Sequence, residues 1–339
     1  MVPIGIIGAS GYTGAELLRL CAEHPGLEVA FATADSQAGV EIAELYPSLA
    51  GRYWSRRFEP WDPALLEDVE AVFVALPHGA SQDLMGEVLA AGVAVVDLGA
   101  DFRLQDPQVY RRWYGEEHRH PDLLDRFTYG LPELWRSEIQ STRAVANPGC
   151  YPTAATLALA PLVSAGLIET SRIVVDAASG VSGAGRPPKP STTFCAVDED
   201  VTAYGLLDHR HTAEMDTNLG ATVLFTPHLV PASRGILATC HAIPKRGGLG
   251  TEDLLGVLGE AYAEEPFVVV SPRPPSTKAC LASNAAHLTA RYDERTDSVL
   301  VLAAIDNLGK GASGAAVQNM NLLLGIPETT GLSVTGVYP

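Results

Sequence analysis

The chain has 339 residues, 47% of them hydrophobic, with 23 Lys and Arg against 40 Asp and Glu and a formal net charge of −17. This length supplies a large core and favours two domains, while the acidic balance argues against nucleic acid or an anionic membrane surface as partner. Five cysteines (Cys21, Cys150, Cys195, Cys240 and Cys280) form no C-x-x-C pair, the start lacks a signal peptide's features, and 154–165 is too short and too broken by Pro161 to span a membrane. A cytoplasmic protein with free thiols is expected.

Through the first third, short β-rich runs alternate with helical patterns, the arrangement of a parallel sheet with helices on its faces. Residues 4–7, 27–33, 71–76 and 94–98 predict strands, and 13–24 and 79–91 predict helices. Between the first strand and the first helix lies Gly8-Ala9-Ser10-Gly11-Tyr12-Thr13-Gly14, whose glycines have G-x-x-G-x-x-G spacing in the context of a dinucleotide-binding turn. Gly8 permits the tight turn, Gly11 lets backbone approach a pyrophosphate, and Gly14 lets helix and strand pack closely, with phosphates on the helix N-terminus. Ser10, Tyr12 and Thr13 complete the expected cofactor loop; an ordinary turn is the alternative. The second strand ends in Thr33-Ala34-Asp35-Ser36. Asp35 is either a partner for the ribose hydroxyl of NAD or a solvated carboxylate, whereas Thr33 and Ser36 keep the 2′-phosphate of NADP open.

After residue 147 the composition shifts towards an α+β domain with a mixed or antiparallel sheet, with strands expected at 172–178, 221–226, 236–243, 267–271, 287–292 and 298–306 and helices at 153–165, 251–264 and 311–324. At this boundary Ala146-Asn147-Pro148-Gly149-Cys150-Tyr151-Pro152-Thr153 puts a cysteine where a turn hands over to a helix. Unpaired amides and the helix dipole there favour thiolate, which makes Cys150 a candidate nucleophile with an oxyanion site beside it. A buried structural thiol is the competing reading. Ser179-Gly180-Val181-Ser182-Gly183-Ala184-Gly185-Arg186 is too rich in glycine for a helix or strand interior and either approaches a ligand closely or is a surface linker. In His209-Arg210-His211-Thr212-Ala213-Glu214, a helix from 212 to 219 lets His211 and Glu214 share a face, as an acid/base pair or as a solvated helix start. No third ligand lies near His209 and His211 at convincing spacing, so no metal is expected. His78, His228 and His241 are expected to be structural or loop residues.

Together these segments resemble the N-acetyl-γ-glutamyl-phosphate reductases, relatives of aspartate-semialdehyde dehydrogenase. The resemblance rests on the glycine loop, Ala100-Asp101-Phe102-Arg103-Leu104, the Cys150 segment, 179–186, His209-Arg210-His211-Thr212, Thr226-Pro227-His228-Leu229-Val230-Pro231, Asp306-Asn307-Leu308-Gly309-Lys310-Gly311 and Gln318-Asn319-Met320-Asn321. It implies a Rossmann-type α/β domain over 1–147, completed by a C-terminal helix within 312–339, and a catalytic and dimerisation domain over 148–311. It also implies an acyl phosphate as substrate, a thioester on Cys150, NADP as cofactor, and a homodimer or homotetramer. On this resemblance His211 is the acid/base, Glu214 orients it, and His209 competes for the role. Arg103, Arg210, His209 and Asn147 are expected at the substrate. Ser179, Gly180, Ser182, Gly183, Asn307 and Gln318 are expected at the cofactor, with Gly8, Ser10, Gly11, Tyr12, Thr13, Gly14, Thr33 and Ser36. Two departures stand out: Gly99 replaces the usual serine, and Asp35 occupies a region where a basic residue is common, which keeps NAD open. The alternatives are a reductase acting on the aminoadipate-type acyl phosphate of lysine biosynthesis or on aspartyl phosphate, ordinary aldehyde oxidation at the cysteine without phosphate, and a nucleotide-sensing binding protein.

Overall fold

The computed structural model describes residues 1–338. Two compact units emerge, one of Met1–Pro107, Glu117–Pro148 and Ala312–Leu332 and another of Gln108–Glu116, Gly149–Gly311 and the chain from Ser333. Two segments depart from the expected boundaries. Residues 108–116 group with the second unit, where Arg210 lies over the Tyr114 ring. The chain after Leu332 does so too, because Asn284 N donates to Ser333 O and Val337 N to Leu281 O.

In the first unit, six parallel strands, β1 (Val2–Ile7), β2 (Leu27–Ala32), β3 (Ala71–Val74), β4 (Ala94–Asp97), β5 (Thr128–Tyr129) and β6 (Ala144–Ala146), run in the order β2-β1-β3-β4-β6-β5. Ile4, Ile6, Phe73 and Val96 share one core with Leu17 of the Tyr12–Ala22 helix and Val317 and Met320 of the Gly314–Leu323 helix. Val72, Val74 and Val95 pack on the opposite face with Leu84, Met85 and Val88 of the Ala80–Ala90 helix. Burial on both faces is why these strands read as unbroken apolar runs. The order reverses at β1, so the crevice beyond its carboxyl end, where the glycine loop begins, is the ligand position of such sheets. β5 and β6, of two and three residues, are too short to show a period and escaped expectation.

The second unit carries a mixed seven-stranded sheet of β7 (Ile173–Gly180), β8 (Thr202–Ala203), β9 (Val223–Val230), β10 (Ile236–Ala242), β11 (Val268–Val270), β12 (Ala286–Asp293) and β13 (Ser298–Ile305). Its order is β11-β12-β13-β10-β7-β9-β8, with β7/β9 and β11/β12 parallel. Here alternation is clean: Ile173, Val175 and Ala177 are buried while Val174, Asp176 and Ala178 are half-exposed, as in a sheet covered on one face. The covering element is the Cys150–Ser164 helix, which packs on β10 and β13.

That helix starts three residues earlier than expected, so Cys150 is its first residue and Gly149 its N-cap. Pro161 lies inside it, which removes the N–H that would bond Leu157 O. Tyr262 Oη donates to that carbonyl at 2.7 Å instead, so the helix persists. Where one helix was expected over 311–324, a π-helical turn, Gly309–Ser313, precedes Gly314–Leu323. No helix among the described residues is long and apolar enough to cross a membrane.

Candidate active site

The turn before Cys150 is pinned from several sides by its own unit. Gly149 N donates to Glu214 Oε2 at 2.9 Å, and Gly149 O accepts from both Thr153 N and Thr153 Oγ1 at 2.9 Å. A Cβ on Gly149 would lie 2.6 Å from His211 Nε2, so only glycine allows the imidazole to come this close to the chain beside the nucleophile. Gly311 plays the same part on the other side, since its Cβ would lie 2.9 Å from Cys150 Cβ. The π-helical turn that brings Gly311 there is held by Asp306, whose Oδ1 accepts from Leu308 N and Gly309 N, whose Oδ2 accepts from Ala282 N, and which pairs with Arg234. Such turns concentrate at functional sites.

His211 opens the His211–Leu219 helix, one residue earlier than expected, and its Nε2 is 3.9 Å from Glu214 Oε1. That distance is an ion-pair separation rather than a hydrogen bond, so Glu214, which is fully buried, holds the Gly149 amide more firmly than it holds the imidazole. His209 Nδ1 accepts from the His211 backbone N–H at 3.2 Å. Burial first, then the neighbouring Arg210 charge, push the His209 pKa down to about 4, which leaves it neutral near pH 7. His209 therefore caps the start of the helix, which leaves His211 as the candidate acid/base.

Aromatic side chains that no motif announced complete the surroundings. Tyr151 and Tyr204 share a hydrogen bond at 3.0 Å, and the rings of Tyr151, Tyr204, Phe225 and His211 all meet that of His209 or one another at 4.8–5.9 Å. Tyr151 follows the nucleophile directly and could have been inferred from its place in the first turn. Tyr204, just after β8, and Phe225, on β9, carry no sequence cue to this site.

The glycine-rich stretch is more regular than a loop. Ser179 and Gly180 end β7, and Val181–Ala184 forms a 3-10 turn. Gly180 N, Val181 N and Ser182 N donate to Gly235 O, Ala232 O and Ser233 O. A Cβ on Gly180 would meet Arg234 N at 2.7 Å, and one on Gly183 would meet Ser179 Oγ at 3.1 Å. Asn307 reaches this turn, donating from Nδ2 to Ser182 Oγ at 2.9 Å while Oδ1 accepts from Gly235 N at 2.7 Å. Arg210, expected at the substrate, is exposed, with its guanidinium 5.2 Å from the centre of the Tyr114 ring.

In the first unit the glycine loop has the form a dinucleotide needs. Gly8 has φ +83 and its Cβ would strike Ala75 O at 2.7 Å; Gly14's Cβ would strike the Ala9 backbone at 2.5 Å. Gly11, by contrast, faces open space, with nothing within 4 Å of an added Cβ. Ser10 O accepts from Tyr46 Oη, and Tyr12 and Thr13 open the helix. Thr33, expected at the ribose, is buried with its Oγ1 accepting from Gly8 N at 3.3 Å, which shapes the loop. Asp35 and Ser36 are exposed beyond it. Arg57, which no spacing argument singled out, comes beside this segment, donating to Gly39 O and pairing with Glu41.

Three other residues expected at the ligands are buried with partners of their own. Asn147 is 1% exposed, with Nδ2 on Ala312 O and Oδ1 accepting from Asn319 Nδ2, so it braces the strand end. Gln318 is fully buried and donates to Glu328 Oε2. Arg103 is buried and donates to Leu98 O, tying the loop after β4 to itself. At that loop, burial pushes the Asp97 pKa up to about 7 against the pull of the Gly99 N–H. For Asp101, burial acts in the same direction, yet bonds from His78 and Ser81, the His78 charge and the Gly79 amide hold it well below the usual carboxylate range. His78 thus braces the two strand-end loops. A side chain at Gly99 would meet Asp97 Oδ1 at 2.9 Å and Ser81 Oγ at 3.1 Å, so glycine leaves room for both.

Comparison with known proteins places these features in a family. Residues 3–142 match the semialdehyde dehydrogenase NAD binding domain, and residues 150–307 match the semialdehyde dehydrogenase dimerisation domain. The chain is 49% identical to the N-acetyl-gamma-glutamyl-phosphate reductase of Symbiobacterium thermophilum, over all of this chain and 99% of that one. It is 46% identical to that of Azotobacter vinelandii over the whole of both chains. Among solved structures, aspartate semialdehyde dehydrogenase II of Vibrio cholerae shares the fold at a TM-score of 0.72 and 18% identity, covering 96% of this chain and 98% of that one. The chain belongs to the N-acetyl-γ-glutamyl-phosphate reductase family.

Proposed function

We propose that the chain reduces N-acetyl-γ-glutamyl phosphate to N-acetylglutamate 5-semialdehyde and inorganic phosphate, a step of arginine biosynthesis, through a thioester on Cys150. The observation that carries this reading is the cysteine at the first position of a helix, with its preceding residue gripped between the Glu214 carboxylate and the His211 imidazole. The names of the relatives at 46% and 49% identity support the choice of substrate over the aspartyl and aminoadipyl alternatives.

An anion at residue 150 is favoured by the helix dipole, and the amides of Cys150 and Tyr151 head the first turn, since Pro152 has no N–H to offer. Attack of Sγ on the acyl carbon forms the C–S bond as the C–O bond to phosphate breaks, and phosphate leaves with the electron pair. The glycine loop that Gly8, Gly11 and Gly14 shape would hold a nicotinamide cofactor, which would supply the hydride for reduction of the thioester carbonyl. Protonated His211 donates to the oxygen that gains charge and takes the proton back as the C–S bond breaks, which releases aldehyde and thiolate. The Val181–Ala184 turn, with Ser182 set by Asn307, is assigned to the nicotinamide end.

NADP is the first choice of cofactor. Arg57 beside Gly39 offers a positive charge on the segment where the 2′-phosphate is read, while Asp35 keeps NAD as the alternative. The free state of all five cysteines supports a cytoplasmic location, and the second unit is assigned to self-association. Incubation with the acyl phosphate in the absence of reductant tests the central step. One equivalent of released phosphate and an acyl adduct on Cys150 are expected; neither appearing would end the proposal.

A further inference from the structure

Residues 108–116 lie in sequence between β4 and β5 of the first unit, yet they group with the second. Most of this stretch is the helix Pro107–Tyr114. Gly115 closes it, with a left-handed φ of 75 and its N–H on Arg111 O at 2.9 Å. Tyr110, fully buried, stacks on Tyr114 one helical turn later, with ring centres 4.4 Å apart and planes 7° from parallel. The Arg210 guanidinium lies 5.2 Å from the centre of the Tyr114 ring, within cation–π reach. Arg210 is the residue on which the His211–Leu219 helix begins. Its carbonyl accepts from Ala213 N at 3.2 Å, as the His209 carbonyl accepts from Thr212 N at 3.0 Å. Farther along the same helix, burial raises the Asp216 pKa, and the Val223 N–H and the Arg112 charge oppose it. The Pro107–Tyr114 helix thus meets the His211–Leu219 helix at its start through Tyr114 and acts on its later part through Arg112.

We infer that Tyr114 is a positioning residue for the reaction: acting through Arg210, it fixes the start of the helix that carries His211 and Glu214. The inference rests on the reading of His211 as the acid/base and adds the residue that aims it. Glu214 Oε2 takes the Gly149 amide at 2.9 Å, and a Cβ on Gly149 would lie 2.6 Å from His211 Nε2, so both side chains meet the turn before Cys150 at contact distance. Any shift of the helix start is passed directly to the imidazole, and a misplacement of about 1 Å can cost about a hundredfold in rate. An aromatic face suits this task. It attracts the guanidinium without a directional hydrogen bond, and stacking on the buried Tyr110 keeps it from following the motion of an exposed arginine. Phenylalanine preserves that face, whereas leucine fills the space and abolishes it.

Steady-state kinetics and the solvent deuterium isotope effect on kcat test this assignment in Tyr114→Leu, Tyr114→Phe, Arg210→Met, Arg210→Lys and the double variant Tyr114→Leu with Arg210→Met. Tyr114→Leu and Arg210→Met are each expected to lower kcat by about tenfold, with substrate and cofactor KM within about twofold of wild type. Phosphate release without reductant stays complete, and the isotope effect rises because proton transfer from a displaced imidazole is slower. Tyr114→Phe and Arg210→Lys keep the ring face and the cation and should stay within about threefold of wild type. The double variant should fall no further than either single one, since both break the same contact. Wild-type kcat in Tyr114→Leu, an unchanged isotope effect, losses that multiply in the double variant, or an Arg210→Met effect confined to substrate KM overturns the inference. If Tyr114→Leu fails to fold, the exposed Arg210 decides: equal losses in Arg210→Met and Arg210→Lys overturn it. His211→Asn with undiminished kcat overturns the acid/base reading and this inference with it, whereas a large loss there beside a fully active Tyr114→Leu overturns the inference alone.

Discussion

The glycine loop of the first unit and the cysteine turn of the second are built on the same device, a strand or turn that ends at the positive end of a helix, yet their glycines serve opposite purposes. Gly11 faces open space with nothing within 4 Å, whereas Gly149 and Gly311 are closed over by His211 and by Cys150 itself. Open backbone lets a phosphate settle on the helix N-terminus. Closed backbone forces catalytic side chains to one geometry, which is what positioning a nucleophile demands. One helix start is open and the other is closed over.

The sharpest way to break this comparison is Cys150→Ser. Turnover should fall by more than roughly a thousandfold, while nucleotide affinity, read by fluorescence titration, stays within about twofold because the cofactor loop belongs to the first unit. A variant that retains turnover removes the reactive half of the contrast. Next in size is the histidine pair. His211→Asn should lower kcat by about 10²–10⁴, whereas His209→Asn, whose amide oxygen can still accept the His211 N–H, should cost less than about tenfold. The reverse ranking would move the acid/base role to His209.

Alanine at the two glycines sharpens the distinction. Gly149→Ala pushes against the imidazole and should lower kcat by about tenfold to a hundredfold with the cofactor KM unchanged. Gly11→Ala should raise the cofactor KM and leave thermal stability unchanged, because the new methyl group intrudes only on a bound phosphate. Equal effects on kcat from both would erase the difference between the loops.

Protonation of His209 supplies a pH test. Its folded pKa, about 4, lies below the ordinary value of 6.5, so the unfolded chain binds the proton first as pH falls. Stability from this group is complete above pH 6.5 and is lost progressively towards pH 4. Denaturant unfolding of His209→Asn should show a shallower loss over that window than wild type; parallel curves would mean that His209 titrates normally. The smallest effect is expected from Tyr262→Phe, which leaves Leu157 O without its donor beside Pro161 and should cost about 1–2 kcal/mol in chemical denaturation. No loss there would mean that the carbonyl left unpaired by Pro161 in the cysteine-bearing helix needs no outside partner.

Much of this was legible in the chain itself. The alternation of apolar runs and helical periods, the glycine spacing after the first strand and the Asn147-Pro148-Gly149-Cys150 turn are local patterns, and backbone sterics and the burial period act locally. Those patterns alone yielded the α/β class, the nucleotide turn, the candidate nucleophile and the His211–Glu214 pairing. What waited for tertiary structure depended on which side chains burial had already engaged. Thr33, Asn147 and Gln318 look like site residues in sequence, but long-range hydrogen bonds to Gly8, Asn319 and Glu328 use their polar groups. Spacing to Glu214 favoured His211 without assigning a role to His209; the burial of His209 and the His211 N–H on its Nδ1 show it as a neutral cap. Tyr204, Phe225 and Gly311 joined Cys150 across long stretches of chain, because packing in three dimensions brings together residues that no sequence interval relates.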